Sequence, residues 1–332
     1  MSEPARWRMS LGPARVLIST PLPLDAVAAA LRSRGEPPMY DLTPVPGAGP
    51  GGRGAASVVH AASRAGPPGA VWDSARASLA VQAADGEVTG EGLLYLAYLV
   101  LENRLQRSGY VTLHAAGACW EDRGVLLLGT PGAGKTTTLL RLCRDHGAAM
   151  TGNDLVVAGG PGGVPVALAG TGHVRLRHAS VARVMPELLG LFPGEVTDSW
   201  RAKRTLPPAR LGITPAARPV PIRAVVFVHV DPGYRELVDE PGDTLVHRLN
   251  LYENAVRYIR GGSTPWLAGG RFGPYVPPVD DPAAHAGRTA TLERLLDRSR
   301  YIAGPPAAVA EHISALVTGS TPVTALAGRS IQ

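Results

Sequence analysis

The sequence predicts an α/β protein: a C-terminal domain with a mixed sheet built around a phosphate-binding loop, and a small N-terminal α/β unit before it. Three observations predict it. Apolar runs of strand length alternate with helical patterns from residue 110 onward. The stretch "LLLGTPGAGKTTTLLRL", Leu126 to Leu142, passes from an apolar run through a glycine-rich turn into an apolar helix start. The first 88 or so residues hold short strands and one helix, interrupted by Pro/Gly-rich sequence.

Taken in order, "ARVLIST" reads as a strand, and "PLDAVAAALRSRG" as a helix with Asp25 near its start and Gly35 at its end. Residues 44–55 read as a Pro/Gly-rich loop. "ASVVHAA" and "ASLAVQAADGEVT" read as strands, the second turning at Asp85-Gly86. "EGLLYLAYLVLENRLQRSG" is a long helix from Glu91 to Ser108, stopped by Gly109. "YVTLHAAGACWEDRGVLLLG" reads as two strands joined by a polar turn, and "KTTTLLRLCRDHG" as a helix. "AAMTGNDLVVAGG" reads as a turn and a strand, "GVPVALAG" as a strand, and "SVARVMPELLGLF" as helical. Ala224–Val230 is a buried strand, and "ATLERLLDRSR" and "PAAVAEHISALVTG" are helices. The expected division is 1–88 for the small unit, 89–320 for the loop-bearing domain, and a frayed tail over 321–332.

Composition narrows the classes. The chain has 332 residues, 45% of them hydrophobic, which suits a folded core rather than disorder. Net charge is +6, yet the arginines are scattered without a basic run, so an anionic small molecule explains the excess better than nucleic acid. Two cysteines, Cys119 and Cys143, suit a reducing compartment. The start lacks the apolar core of a signal peptide, and Leu93–Leu101 is too short to span a bilayer. The expectation is a cytoplasmic protein without a membrane segment. Only two lysines occur, Lys135 and Lys203, against 31 arginines. Those two stand where a compact ammonium is needed rather than a planar fork, or Lys203 is a surface residue only.

Gly129-Thr130-Pro131-Gly132-Ala133-Gly134-Lys135-Thr136 matches G-x-x-x-x-G-K-[ST], with an apolar strand entering and a helix, starting through Thr137, leaving. Glycines let backbone N–H groups close around phosphate oxygens, and the helix N-terminus adds partial positive charge. Lys135 is expected to reach the β- and γ-phosphates, and the Thr136 hydroxyl to hold Mg²⁺. The implied ligands are ATP and Mg²⁺. Asp154, in "TGNDLVV", is the candidate acid: a Mg²⁺ ligand, a proton acceptor from an attacking hydroxyl, or a turn residue. Asn153 serves the metal shell or only the turn. His114, on the strand before the loop, reads by itself as a core histidine.

"HAAGACWEDRGVLLLGTPGAGKTTTLLRLCRDHGAAMTGNDLVV" resembles the HPr kinase/phosphorylase-like family, within the wider phosphoenolpyruvate-carboxykinase-like fold. The likeness is strongest from His114 to Val157 and weaker over the preceding helix and the rest of the domain. It implies transfer of a phosphoryl group from MgATP to a hydroxyl, typically of serine. It places Asp154 on the family's general base and His114 on its active-site histidine. Asn153 stands where the family has the first of two acids, and the family's second glycine-rich signature is missing. The chain therefore looks like a divergent relative, of the kind attached to peptide or small-molecule biosynthesis, as in lasso-peptide tailoring.

Further cations are candidate substrate contacts. "SWRAKRTLPPARLGI" puts Arg201, Lys203 and Arg204 in a loop with no local acid. "NLYENAVRYIRGG" spaces Arg257 and Arg260 three apart on one helix face, as a clamp or as a solvated face with Glu253 paired to Arg257. His173, Arg175, Arg177 and His178 alternate as a strand would. "RFGPYVPPVDDPAAHAG" is a lid, an acceptor loop or a linker. The expected activity is a kinase acting on a hydroxyl, Ser/Thr-like, of a peptide or small metabolite. The alternative is an ATPase or nucleotide-binding accessory of a peptide-modifying system. Self-association into a homo-oligomer is left open.

Overall fold

The computed structural model describes residues 4–34, 36, 38–46, 56–62, 69–83, 88–260, 262–263 and 275–320. The helix end at Gly35, most of the Pro/Gly loop (47–55), the turn at Asp85-Gly86, the start of the segment from Arg271 and the tail 321–332 lie outside the described residues.

The fold is mixed α/β. The N-terminal unit comprises β1 (Ala5–Leu11), β2 (Ala14–Thr20), α1 (Leu24–Ser33), β3 (Asp41–Pro44), β4 (Ala56–Ala62), β5 (Gly69–Asp73) and β6 (Ser78–Ala83). They form one sheet in the order β3-β1-β2-β4-β6-β5, with β2, β4 and β6 parallel and the remaining pairs antiparallel. Strands β1, β3 and β5 are additions to the sequence reading. In β1 the apolar residues Trp7, Met9 and Leu11 alternate with Arg6, Arg8 and Ser10, a half-buried pattern that the charged residues obscure.

Helix α2 (Gly90–Arg107) opens on Thr89, whose hydroxyl accepts from Gly92 N at 3.0 Å. It is apolar on nearly every side, which a helix can be only when it is covered all round. One side packs on β2 and β4; another meets the second sheet and a later helix. Its Glu102 is fully buried and accepts from Thr112 N at 3.0 Å, from the Thr112 hydroxyl and from Gln106 Nε2 at 2.8 Å. Burial pushes this carboxyl's pKa up, and those hydrogen bonds oppose the shift. The network ties α2 to the strand that leads into the site.

The second sheet is built from β7 (Tyr110–Leu113), β8 (Ala116–Trp120), β9 (Arg123–Leu128), β10 (Ala149–Gly152), β11 (Val156–Gly159), β12 (Val166–Gly170), and three later strands. Helix α3 (Lys135–Asp145) follows the loop. A two-stranded ribbon, β13 (Val174–Arg177) with β14 (Lys203–Leu206), encloses α4 (His178–Val184) and a 3₁₀ turn at Pro186–Leu191. Next come β15 (Val220–Val230), β16 (Val238–Pro241), α5 (Leu245–Val256), the short pair β17 (Gly262–Ser263) and β18 (Tyr275–Val276), α6 (Pro282–Leu296), β19 (Ser299–Gly304) and α7 (Pro306–Thr318).

The sheet runs β10-β8-β9-β15-β12-β11-β7, with β19 also on β15 and β16 on β19. Strands β9, β15 and β19 are parallel, so their C-terminal ends share one edge, where α/β sheets present ligands. Four readings need correction. The segment from Tyr110 to Trp120 is two strands in different parts of the sheet, broken at His114, and Ala149–Gly152 is a strand rather than a turn. Lys203 and Arg204 sit on a strand, not in a loop, because β13 supplies a partner. Arg257 and Arg260 are not on one helix face, since α5 ends at Val256 and Arg257 caps it.

Candidate functional site

Strand β9 ends at Leu128 beside β15, and the chain turns at Gly129, Gly132 and Gly134 with φ of +141°, +90° and +94°. A Cβ on Gly129 would lie 2.9 Å from Val228 O, and one on Gly134 would overlap Val230 Cγ2. Only glycine lets the loop lie this close to β15 and enter α3 in the left-handed conformation. The Lys135 ammonium donates to the carbonyls of Gly129 at 2.8 Å and Thr130 at 3.3 Å, so it folds back over its own loop. Burial lowers its pKa, with Asp154 acting in the opposite direction.

Asp154 adopts φ +68°, left-handed backbone that a short polar side chain tolerates. Its turn is anchored by Thr171: Asn153 N donates to Thr171 O at 3.3 Å, and Thr171 N donates to Leu155 O at 3.0 Å. A Cβ on Gly152 would lie 2.7 Å from Gly170 Cα, so two glycines let the turn press against β12. Asn153 is fully buried, and its Oδ1 accepts from the Thr136 hydroxyl at 3.0 Å. Asn153 Nδ2 has no partner among the described residues.

His114 sits at the break between β7 and β8, where its backbone N–H donates to Asn254 Oδ1 at 3.0 Å. Its Nε2 lies 3.9 Å from Asp154 Oδ1. Burial lowers the His114 pKa, Lys135 lowers it next, Asp154 opposes them and Arg257 adds to the lowering. The shift favours the neutral imidazole at pH 7.

These groups open on a cleft of about 820 Å³. Of the predicted residues, His114, Pro131, Gly132, Gly134, Lys135, Thr136, Thr137, Asp154, Lys203 and Arg257 line it. Both lysines of the chain thus face one cleft. Gly129, Thr130 and Ala133 shape the loop from behind, and Asn153 acts through Thr136 rather than from the wall. Arg204 follows Lys203 on the strand and takes the opposite face of the ribbon. Arg260 pairs with Glu253 at 2.9 Å on the surface, leaving Arg257 with no ion pair among the described residues. The exposed Arg201 pairs with Asp198 at 3.5 Å.

The sequence reading named Arg175 and Arg177 only for their strand-like alternation and missed Arg183, Trp200, Thr171 and Tyr258. Arg177 lies opposite Lys203 across the ribbon, with its guanidinium 4.3 Å from the Trp200 ring centroid. Arg175 is held by Glu36 of the N-terminal unit at 2.8 Å. Arg183 donates from the one nitrogen Nη2 to both carboxylate oxygens of Asp231, at 2.6 and 2.7 Å. Thr171, Tyr258 and, behind His114, Asn254 complete it. Only the alternation of "HVRLRH" and the lysine in "SWRAKRT" pointed at this side.

The loop suits a triphosphate: its positive-φ glycines, the helix start and Lys135 converge on the cleft, and the wall is cationic with Asp154 its one carboxylate among the described residues. No group of three His, Cys, Asp or Glu among the described residues could hold a metal alone. A Mg²⁺ bound mainly by phosphate oxygens and water, with one or two protein oxygens, needs none, and Thr136 and Asp154 both line the cleft. No protein-family model matches the chain, and no curated protein matches its sequence. No described helix is long and apolar enough to cross a membrane.

Proposed function

We propose that this chain is a kinase, a divergent relative of the HPr kinase/phosphorylase-like enzymes, whose acceptor is a hydroxyl on a peptide or small metabolite. The observation that carries the reading is the meeting of Asp154, His114 and Lys135 in one cleft, with Asp154 on a left-handed turn that Asn153 ties to Thr136 at the start of the loop helix. MgATP, when bound, supplies the phosphoryl group. Lys135 and the loop amides hold its charge, and Thr136 contributes a metal ligand. Because Asn153 accepts the Thr136 proton, the lone pairs of Thr136 Oγ1 are left for a cation. Asp154 accepts the acceptor's hydroxyl proton, and in a loose transition state its position matters more than its basicity. His114, neutral and beside Asp154, orients that carboxylate without adding a charge that would compete with Lys135.

A second reading, a nucleotide-binding accessory protein of a peptide-modifying system, draws on Asn153, an amide where a second acid would strengthen a metal shell. The test is intact-mass spectrometry of candidate peptides and metabolites after incubation with MgATP, run beside Lys135→Ala and Asp154→Asn. A gain of one phosphate that both variants abolish supports the kinase. ATP consumption without a phosphorylated acceptor favours an ATPase, and tight MgATP binding without turnover favours the accessory role.

A further inference from the structure

The ribbon of β13 and β14 has two unlike faces. On one, Val174, Leu176 and Leu206 are buried. The other carries Arg175, Arg177, Lys203 and Thr205, and its three cations line the cleft. Arg177 and Lys203 stand directly opposite each other in the register. Like charges so placed repel and destabilise a strand pair. At the inner end of the face Glu36 offsets the charge, reaching Arg175 at 2.8 Å and the Thr205 hydroxyl at 3.4 Å. The outer end has no such acid: neither Arg177 nor Lys203 has an ion pair among the described residues. Trp200, 62% exposed at the rim, lies under the Arg177 guanidinium and accepts from it through its carbonyl at 2.5 Å, so that cation is held in place. The face leads away from the acid turn. Thr171 anchors the turn of Asp154, and His173 follows it. Burial lowers the His173 pKa, Arg175 adds to the lowering, and Asp154 and Glu36 oppose it, so this ring feels both the turn and the ribbon. Arg175 and Arg177 come next, one strand step of about 6.8 Å apart.

We infer that the outer end of this ribbon docks an acidic peptide, its carboxylate seated between Arg177 and Lys203, and that the hydroxyl at Asp154 belongs to a serine or threonine about three to six residues away. The inference rests on the kinase reading of the cleft and names its acceptor. A carboxylate between the two cations removes their repulsion and meets a planar fork beside a compact ammonium. From the acid turn to Arg177 the chain advances roughly 10–20 Å, and an extended peptide covers that at about 3.3 Å per residue. A neutral acceptor leaves the pair uncompensated, and a small anionic metabolite is too short to touch both the pair and Asp154. The phosphates of a nucleotide already have Lys135, the loop amides and the start of α3. A nucleic-acid strand needs cations spread along an open surface, whereas these stand on one wall of a cleft.

Fluorescence anisotropy on the full chain, with a non-hydrolysable MgATP analogue present, tests this. The probes are labelled peptides with one central serine. They carry aspartate about three to six residues to its N-terminal side, to its C-terminal side, or asparagine at the same places. One of the two acidic peptides is expected to bind at least about tenfold tighter than its asparagine counterpart. Arg177→Met and Lys203→Met each cut that preference below about threefold, with affinity for the analogue unchanged. Lys203→Glu pairs with Arg177 directly, so it abolishes the preference and raises the melting temperature, by up to about 2 °C. Equal binding of acidic and asparagine peptides overturns the site, as does a preference that survives both Met variants. Loss of analogue affinity in those variants assigns the cations to the nucleotide and overturns it as well. Tighter binding of oligothymidylate than of either acidic peptide replaces the peptide by nucleic acid. A lower melting temperature in Lys203→Glu overturns the uncompensated pair. Intact-mass spectrometry of the same peptides with MgATP separates the two proposals. An acidic peptide that docks without being phosphorylated supports the site and overturns the kinase reading; an asparagine peptide phosphorylated as fast as the acidic ones overturns the site and supports the kinase.

Discussion

The Thr136 hydroxyl donates to Asn153 Oδ1 at 3.0 Å, joining the first turn of the loop helix to the buried residue just before Asp154. The bond fixes how far the acid turn stands from the loop. It also gives Asn153 a task that an ionised aspartate would perform only by placing a charge in the interior.

Asn153→Asp is therefore expected to lower stability at neutral pH by roughly 2–4 kcal/mol, since burial disfavours the charged form. The introduced carboxyl has a folded pKa raised above its unfolded value. The two states are equally protonated in acid, and stability is lost as pH rises through the folded pKa. Thermal melts at pH 5 and pH 8 check this: a variant whose deficit against wild type does not grow with pH would contradict the buried placement.

His114 provides the complementary pH test. Its folded pKa is depressed from the ordinary value of 6.5, by burial first and then by Lys135. Between the folded pKa and 6.5 the unfolded chain binds more protons, so this residue makes stability rise with pH across that window. Arg257 lowers the value and Asp154 raises it, so Arg257→Met should move the imidazole titration up and Asp154→Asn should move it down. An NMR titration of the ring reads both, and a reversed shift in either variant would break the assigned cluster.

The two loop glycines should fail differently. A Cβ on Gly134 overlaps Val230, so Gly134→Ala is expected to lose about 2 kcal/mol or more of stability through strain and overlap. A Cβ on Gly132 meets nothing within 4 Å, so Gly132→Ala suffers backbone strain alone, about 1–2 kcal/mol. Its methyl enters the space that phosphate would fill, so its larger effect falls on MgATP affinity. Melting curves with and without MgATP separate the two.

Arg257 and Arg260 should also part company. Arg257 faces the cleft with no ion pair among the described residues, whereas Arg260 is engaged with Glu253 on the surface. Arg257→Met is expected to slow turnover at least tenfold. Arg260→Ala should leave turnover unchanged and stability within about 0.5 kcal/mol, as exposed pairs contribute little. Equal effects of the two would remove Arg257 from the site.

Much of the molecule was legible because it depends on local chemistry. The apolar run between Glu91 and Ser108 marked α2, and the glycine spacing marked the turn between β9 and α3. Lysine scarcity pointed to Lys203, which lines the cleft. Less legible were β1, whose arginines mask its alternation, and the ribbon strand at Lys203, which is a strand only because β13 lies beside it. Trp200 carried no signal of its own, since its place at the rim depends on the distant Arg177.

By itself the sequence determined the α/β class, the loop with its lysine and threonine, and the nearby acid, because these follow from backbone preferences within a few residues. Tertiary structure alone decided which cations meet that loop. Arg257 enters the cleft because α5 stops one residue earlier, and Arg260 leaves it for Glu253. Asn153 turns inward to Thr136 while Asp154, its neighbour, turns out toward His114, because Gly152 and Gly170 let the turn pack closely on β12. Such choices are made by contacts between segments far apart in the chain, and no local pattern of residues records them.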